Sequence, residues 1–302
     1  MLGAMAEWCS FQLGSGPVEV LFEAGHLARV IGLRLTDGRE VVLKVRPHTS
    51  RLPACVRVQR SLFEAGYPCP EPLAGPALLG DMVATAEAHV PGGNQLASGR
   101  ERAAKFAKAL AKLVELAPSV SAVGTLDPPP PWAWPEMDRP WPPPDDMDAD
   151  LNGHRGPTWL DALADRVRRC LLDTALPPVV GHVDFESQNL RWVDGKIHAV
   201  HDWDSVAALP EPAVAGLASA VFTASGSRLT DANIEESSTF LSAYQELRRI
   251  RWSPEEFAVA WAAGLWVRVF NAKKAYVQGD ASPGECLRTE SEVRLGHLSA
   301  TP

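Results

Sequence analysis

The chain has 302 residues, 46% of them hydrophobic, and a formal charge of −8. That is ample apolar material for a real core in one large domain or two moderate ones, and the acidic balance disfavours a nucleic-acid partner while suiting a cationic small molecule. The longest apolar run, Phe257 to Val267, is too short to span a bilayer, and the N-terminus carries neither a basic leader nor a cleavable apolar segment. A cytoplasmic protein without membrane association is therefore expected. Five cysteines without C-x-x-C spacing argue against a disulfide framework or a zinc site and read as buried thiols.

Residues 1 to 27 offer no clear element. Gly14, Gly16, Gly25 and Gly32 do not form G-x-G-x-x-G and read as turn glycines. From Ala28 to Arg46 two β-rich runs, ARVIGLRL and REVVLKV, flank Thr36-Asp37-Gly38 and predict a hairpin. Lys44 lies inside its second strand, where an unpaired lysine is costly to bury. Residues 52 to 65 read as a helix with Val56, Leu62 and Phe63 apolar, closed by Gly66 and barred from continuing by Pro68, Pro70 and Pro72. A second hairpin follows around Gly80-Asp81, running from Ala77 to Glu87. The stretch Glu87-Ala88-His89-Val90-Pro91-Gly92-Gly93 then reads as a boundary between domains.

Beyond it the pattern is helical. Ser98 can cap a helix striped by Ala103, Phe106, Ala107, Leu110, Leu113, Val114 and Ala117. Residues 127 to 150 hold nine prolines, three tryptophans and seven acidic residues, so they must be loop: a solvated insertion, or an aromatic and acidic wall for a cation. A helix beginning at Thr158 with Asp161 leads through Pro177-Pro178 to the most informative stretch. Helices are also expected near 211 to 222, 231 to 249 and 254 to 278, the last opened by the capping box Ser253-Pro254-Glu255-Glu256. Glu235 and Glu236 read as dipole-facing acids of a first turn.

Residues 182 to 204, HVDFESQNLRWVDGKIHAVHDWD, contain H-x-D-x-x-x-x-N and then a hairpin at Asp194-Gly195 that ends in Asp202-Trp203-Asp204. The two ends of a hairpin lie side by side, so Asp184 and Asn189 come near Asp202. Oxygen-bearing side chains gathered in this way suit phosphoryl transfer, which needs positioning and charge neutralisation more than covalent chemistry.

This stretch resembles the aminoglycoside phosphotransferase and choline kinase group of small-molecule kinases, in which a HGDxxxxN loop is followed by a strand ending in I-D-W or I-D-F. The resemblance implies Asp184 as catalytic base, His182 as the brace of the loop, and Asn189 and Asp202 as Mg²⁺ ligands. It also implies Lys44 as the ligand of the α and β phosphates, and the segment Glu87, Ala88, His89 and Val90 as the hinge that hydrogen-bonds the base of ATP or GTP. Val183 stands where the family has Gly, and Phe185-Glu186-Ser187-Gln188 where it commonly has L-H-P-G. The helix glutamate that pairs with the strand lysine is missing, since Arg57, Gln59 and Arg60 occupy the helix interior and Glu64 lies in the last turn. Glu186 and Asp204 are expected at the substrate, Glu186 holding an ammonium or guanidinium group or else serving as a partner of Arg191.

Strands first and helices after predict an α+β chain, and the resemblance implies a bilobal protein-kinase-like fold with a nucleotide-binding lobe over 1–90 and a helical lobe over 91–302. The expected activity is phosphoryl transfer to a hydroxyl of a small polar metabolite or antibiotic. Two alternatives stand beside it. One is a metal enzyme of another class, either a D-x-D glycosyltransferase or a metallohydrolase using His182, Asp184, His198, His201 and Asp202. The other is a catalytically silent nucleotide-binding module.

Overall fold

Two tight turns generate four of the five strands of the first sheet. The structure, a computed structural model, describes residues 2–25, 27–99, 101–154, 156–225 and 231–296. Strands β2 (Arg29–Leu35) and β3 (Glu40–Arg46) form the first expected hairpin, and β4 (Pro72–Leu79) and β5 (Met82–Ala88) the second. With β1 (Pro17–Ala24) they make one antiparallel sheet of order β1-β2-β3-β5-β4. Alternation along the strands separates its two faces. Ile31, Leu33, Val41, Leu43, Ala84 and Ala86 are buried against Met5, Trp8, Cys9 and Leu13 of α1 (Leu2–Leu13), a helix not expected from the sequence. The opposite face carries Val42, Lys44, Arg46, Thr85 and Glu87.

Helix α2 (Leu52–Glu64) follows β3, and its buried Ala54, Cys55, Val58 and Leu62 join the core of the helical part, beside Trp203 and Val206. Phe63, expected on that apolar face, is 38% exposed, because it sits one position off the stripe. After β5 the chain crosses to the second half, where Asn94 and Trp192 exchange backbone hydrogen bonds. Helix α3 (Arg102–Leu116) starts later than expected, and Ser98 does not cap it. The predicted stripe is buried from Ala103 to Val114, while Ala117 lies past the helix and is half-buried. A single turn, α4 (Val120–Val123), precedes the proline-rich stretch.

That stretch is irregular, as its composition demands, and while its acids are mostly exposed its tryptophans pack inward. Trp141 is buried and stacks on Trp266 with centroids 6.0 Å apart, while its indole N–H donates to Asp161 at 3.0 Å. Asp161 belongs to α5 (Thr158–Leu172) and also accepts from Lys273 Nζ at 2.9 Å. Lys273 in turn lies 5.1 Å from the Trp141 ring centroid. The cation on this aromatic is the chain's own.

Strand β6 (Pro178–His182) pairs with β9 (Val206–Pro210), and β7 (Leu190–Val193) with β8 (Lys196–Val200). In the latter hairpin Asp194 and Gly195 both take positive φ, 49° and 70°, the backbone that a two-residue primed turn requires. Helices α6 (Glu211–Val221), α7 (Ile234–Arg248), α8 (Pro254–Val277) and α9 (Ser282–Gly296) complete the fold. Ser253 caps α8 reciprocally with Glu256, as expected; Asn233 does the same for α7 with Glu236, so this acid has a capping bond beyond its charge. Helices α6 and α8 cross in backbone contact: a Cβ on Gly216 would stand 1.9 Å from the Ala260 carbonyl oxygen. Of the five free cysteines, Cys286 is exposed, a departure from the expectation of buried thiols. Among the described residues no helix is long and apolar enough to cross a membrane. The architecture is thus α+β, an antiparallel sheet followed by a helical body.

Candidate active site

The side chain that ends β6 reaches the residue that follows β8, and so joins the two acidic loops. His182, the final residue of β6, is fully buried, and its Nε2 donates to the His201 carbonyl at 2.9 Å. Phe185 and Trp203 present their edges to it, and burial pushes its pKa down to about 4. It is a neutral brace between the loops. Two residues on is Asp184, whose Oδ2 accepts from Asn189 Nδ2 at 2.8 Å and whose carbonyl accepts from the same group at 3.0 Å. The Asn189 carbonyl accepts from His201 N at 2.8 Å, which locks the first loop onto the strand that delivers Asp202. Asp202 itself is left-handed, with φ 67° and ψ 52°, an uncommon conformation for a residue with a Cβ and one that gathers at functional turns. Ser205 holds it there, donating from its hydroxyl to Asp202 Oδ2 at 3.1 Å and from its amide to the Asp202 carbonyl.

The acids crowd one another. Burial, with the charges of Glu186 and Asp202, pushes Asp184 well above the usual carboxylate range, against the opposing amide of Asn189. Glu186 is raised to about 7 by burial, with Asp231 and Asp202 adding to it. Its Oε2 accepts from Gln188, whereas the Arg191 guanidinium turns to the Gln188 and Leu190 carbonyls; no Arg191–Glu186 pair forms. Asp202 is raised to about 7 by burial and by Asp204, with Lys44 pulling the other way.

The sheet supplies the positive side of the site. Lys44 Nζ lies 3.1 Å from Glu87 Oε1, and both side chains are nearly buried. Burial works against the lysine's charge, but Glu87, Asp202 and Asp204 outweigh it and leave the pKa raised. Glu87 Oε2 accepts from Gln59 Nε2 at 2.9 Å, so the acid is held from α2 as well. Two residues beyond Lys44 on the same strand face, Arg46 pairs with Asp204 Oδ2. Burial opposes the Asp204 charge, yet Arg46 and Lys44 hold its pKa down to about 2. The carboxylate of Asp204, expected at the substrate, is therefore taken up by the sheet.

Along the expected hinge, the Ala88 and His89 amides already donate to the Glu71 and Glu40 carbonyls, while the Val90 N–H donates to no group among the described residues. His89 also meets Glu40 through Nδ1 at 3.0 Å and the Phe22 ring at 5.5 Å. Gly32, one of the four early glycines, lies beneath the Phe22 ring. Two participants escaped the sequence reading, the Glu87 side chain and Arg46. Both were within reach of it, because strand alternation puts Lys44 and Arg46 on one face, and pairing the two hairpins through β3 and β5 sets Glu87 diagonal to Lys44.

A sheet bearing a buried, acid-paired lysine, joined to a helical body whose loops present Asp184, Asn189 and Asp202, defines a protein-kinase-like phosphotransferase fold. The profile of the phosphotransferase enzyme family matches residues 20–210, well over half of the chain. The chain belongs to that family. Among solved structures, an amicoumacin kinase in complex with AMP-PNP, Ca²⁺ and Ami is 13% identical, with 94% of this chain and 89% of that one covered and a TM-score of 0.65. A spectinomycin phosphotransferase in complex with ADP and spectinomycin is 12% identical over 100% of this chain and 95% of that one, with a TM-score of 0.56. A choline/ethanolamine kinase family protein from Mesorhizobium loti is 15% identical over 94% and 89%, with a TM-score of 0.54. At such identities the likeness is one of fold. No curated protein matches the chain significantly.

Proposed function

We propose that the chain transfers the γ-phosphoryl group of ATP, or of GTP, to a hydroxyl of a small polar, cationic molecule. The observation that carries the reading is the Asp184–Asn189 pair, bonded at 2.8 Å and locked through His201 to the segment that carries Asp202, itself in the charge field of Lys44. Asp184 receives the proton of the attacking hydroxyl; a carboxyl whose pKa its surroundings raise is a stronger base than a free one. Neutral His182 holds the loop and takes no proton. Lys44 binds the α and β phosphates, and the backbone of Glu87 to Val90 lines the base, with the uncommitted Val90 N–H as hinge donor.

The donors suit Mg²⁺, a hard cation that takes oxygen ligands. The nitrogen of the Asn189 amide is turned to Asp184, which leaves its oxygen for a metal, and the Asp202 carboxyl is buried beside other acids whose repulsion a dication relieves. Among the described residues no cluster of three or more His, Cys, Asp or Glu side chains forms a metal cage, so the remaining ligands would be phosphate oxygens and water. Bound there, Mg²⁺ neutralises charge on the β and γ phosphates. The AMP-PNP and Ca²⁺ of the amicoumacin kinase complex support both partners.

Glu186 supports a cationic acceptor, because a carboxyl raised to about 7 by burial and by Asp231 regains its charge when an ammonium or guanidinium group approaches. The glycosyltransferase reading needs both acids of Asp202-Trp203-Asp204 free for a metal, and Arg46 engages the second. The reading as a silent module rests on the missing helix acid and the absent G-x-G-x-x-G loop, and Glu87 answers the first of these. A screen of hydroxylated amines and antibiotics for ADP or GDP release, with each nucleotide, tests the proposal. Turnover on at least one acceptor is expected, and Asp184→Ala should slow it by on the order of 10²- to 10⁴-fold. Nucleotide binding without turnover on any acceptor would favour the silent module, and undiminished turnover in Asp184→Ala would remove the base assignment.

A further inference from the structure

A buried lysine needs a fixed counter-charge, and in this chain helix α2 does not supply one. Its only acid, Glu64, is exposed in the last turn; Arg57 donates to the Val123 carbonyl and Arg60 to the Pro72 carbonyl, both away from Lys44. What α2 turns toward the lysine is Gln59, 4% exposed, whose Nε2 reaches the Pro70 carbonyl and Glu87 Oε2, each at 2.9 Å. Glu87 thus has one oxygen on Lys44 and the other on Gln59, and it sits on the strand beside the lysine rather than on the helix across from it.

Resting on the nucleotide-binding role of Lys44 proposed above, we infer that Glu87 is the positioning residue of the phosphate-binding lysine: the acid's task has moved from the helix to β5, and Gln59 is the brace left behind. The arrangement has a physical consequence. Antiparallel pairing between β3 and β5 sets the distance from Lys44 to Glu87, so the ion pair is held within the sheet and α2 touches its acid only through the neutral Gln59 side chain. The residue Glu87 also opens the hinge, so the strand that lines the base and the acid that aims the lysine move as one piece.

A charge relocation tests this. Affinities of the full chain for ADP and for adenosine are measured for wild type, Glu87→Gln, and the swap Glu87→Gln with Gln59→Glu, each checked for folding by its thermal transition. Adenosine has no phosphate for Lys44 to hold. Expected are a loss of ADP affinity in Glu87→Gln on the order of tenfold or more with adenosine affinity unchanged. The swap, which keeps one acid within reach of the lysine, should recover most of the loss. Equal losses for ADP and adenosine would reduce Glu87 to a structural residue, and wild-type ADP affinity in Glu87→Gln would overturn the inference outright. The swap also decides the matter where the single variant does not fold, because a folded swap without ADP affinity overturns it too. Wild type that binds neither these two nor GDP and guanosine in their place would instead overturn the nucleotide reading itself.

Discussion

The buried His182 makes the stability of this protein depend on pH in a way that one substitution removes. Unfolded, its imidazole titrates at about 6.5; folded, burial holds it down to about 4. Between those values the unfolded state binds the proton and the folded state refuses it, so stability falls as the pH drops through that window. Near pH 7 both states are neutral and the effect is small. At pH 5 the unfolded histidine is almost wholly charged and the folded one is not, a difference worth about 2 kcal/mol, rising to about 3 kcal/mol below pH 4. Glutamine in its place can still donate from Nε2 to the His201 carbonyl and does not titrate. Denaturant unfolding of wild type and His182→Gln at pH 7 and pH 5 should therefore show the advantage of wild type shrinking by about 2 kcal/mol at the lower pH. Other titrating groups are common to both proteins and drop out of the difference. A gap of the same size at both pH values would mean that His182 is charged or solvated in the fold, and its role as neutral brace would go with it.

Once an acceptor is known, Glu186→Gln should raise its KM on the order of tenfold and leave the KM for ATP nearly unchanged; steady-state kinetics in both substrates decide it, and a shift in the ATP value alone refutes the acceptor contact. Asp202→Asn should shift the Mg²⁺ dependence of turnover to much higher concentration, so an unaltered Mg²⁺ titration would remove Asp202 from the metal site. Gly216→Val should cost about 3 kcal/mol or more, because the side chain would have to occupy the Ala260 carbonyl at the α6–α8 crossing; a thermal transition within a degree or two of wild type would show that the helices part easily.

Much of this was written in local signals. Asp37-Gly38, Gly80-Asp81 and Asp194-Gly195 announced three hairpins, Ser253 and Glu256 announced a helix, and the spacing of His182, Asp184 and Asn189 announced the loop. Elements without local signals went unread. Residues 5, 8, 9 and 13 do form a stripe in α1, but no cap introduces it and Phe11, 87% exposed, lies off it. Strands β6 and β9 carry Pro178 opposite Pro210 at their ends, and proline argues against a strand until its partner is known. The family resemblance points to the helix for the partner of Lys44. Non-local pairing decided otherwise: residues 44 and 87 meet only after two hairpins have folded and come into register. Asp204 shows the same limit, since the -D-W-D- pattern shows two acids and not the arginine on another strand that claims the second.

The packed stretch from 127 to 150 is also an entropic device. Fixing a residue's backbone costs about 1–2 kcal/mol of conformational freedom, and proline has surrendered part of that freedom before folding begins. With nine prolines in the segment, the ordering that stacks Trp141 on Trp266 and brings Asp146 to Lys274 starts from a chain already stiffened. No ladder of backbone hydrogen bonds has to be preserved there, so outward-facing positions such as Met137, 83% exposed, can change without disturbing a helix or a sheet. The segment is a rigid surface whose composition, rather than whose secondary structure, maintains its shape, and that leaves it open to variation at little cost to the fold.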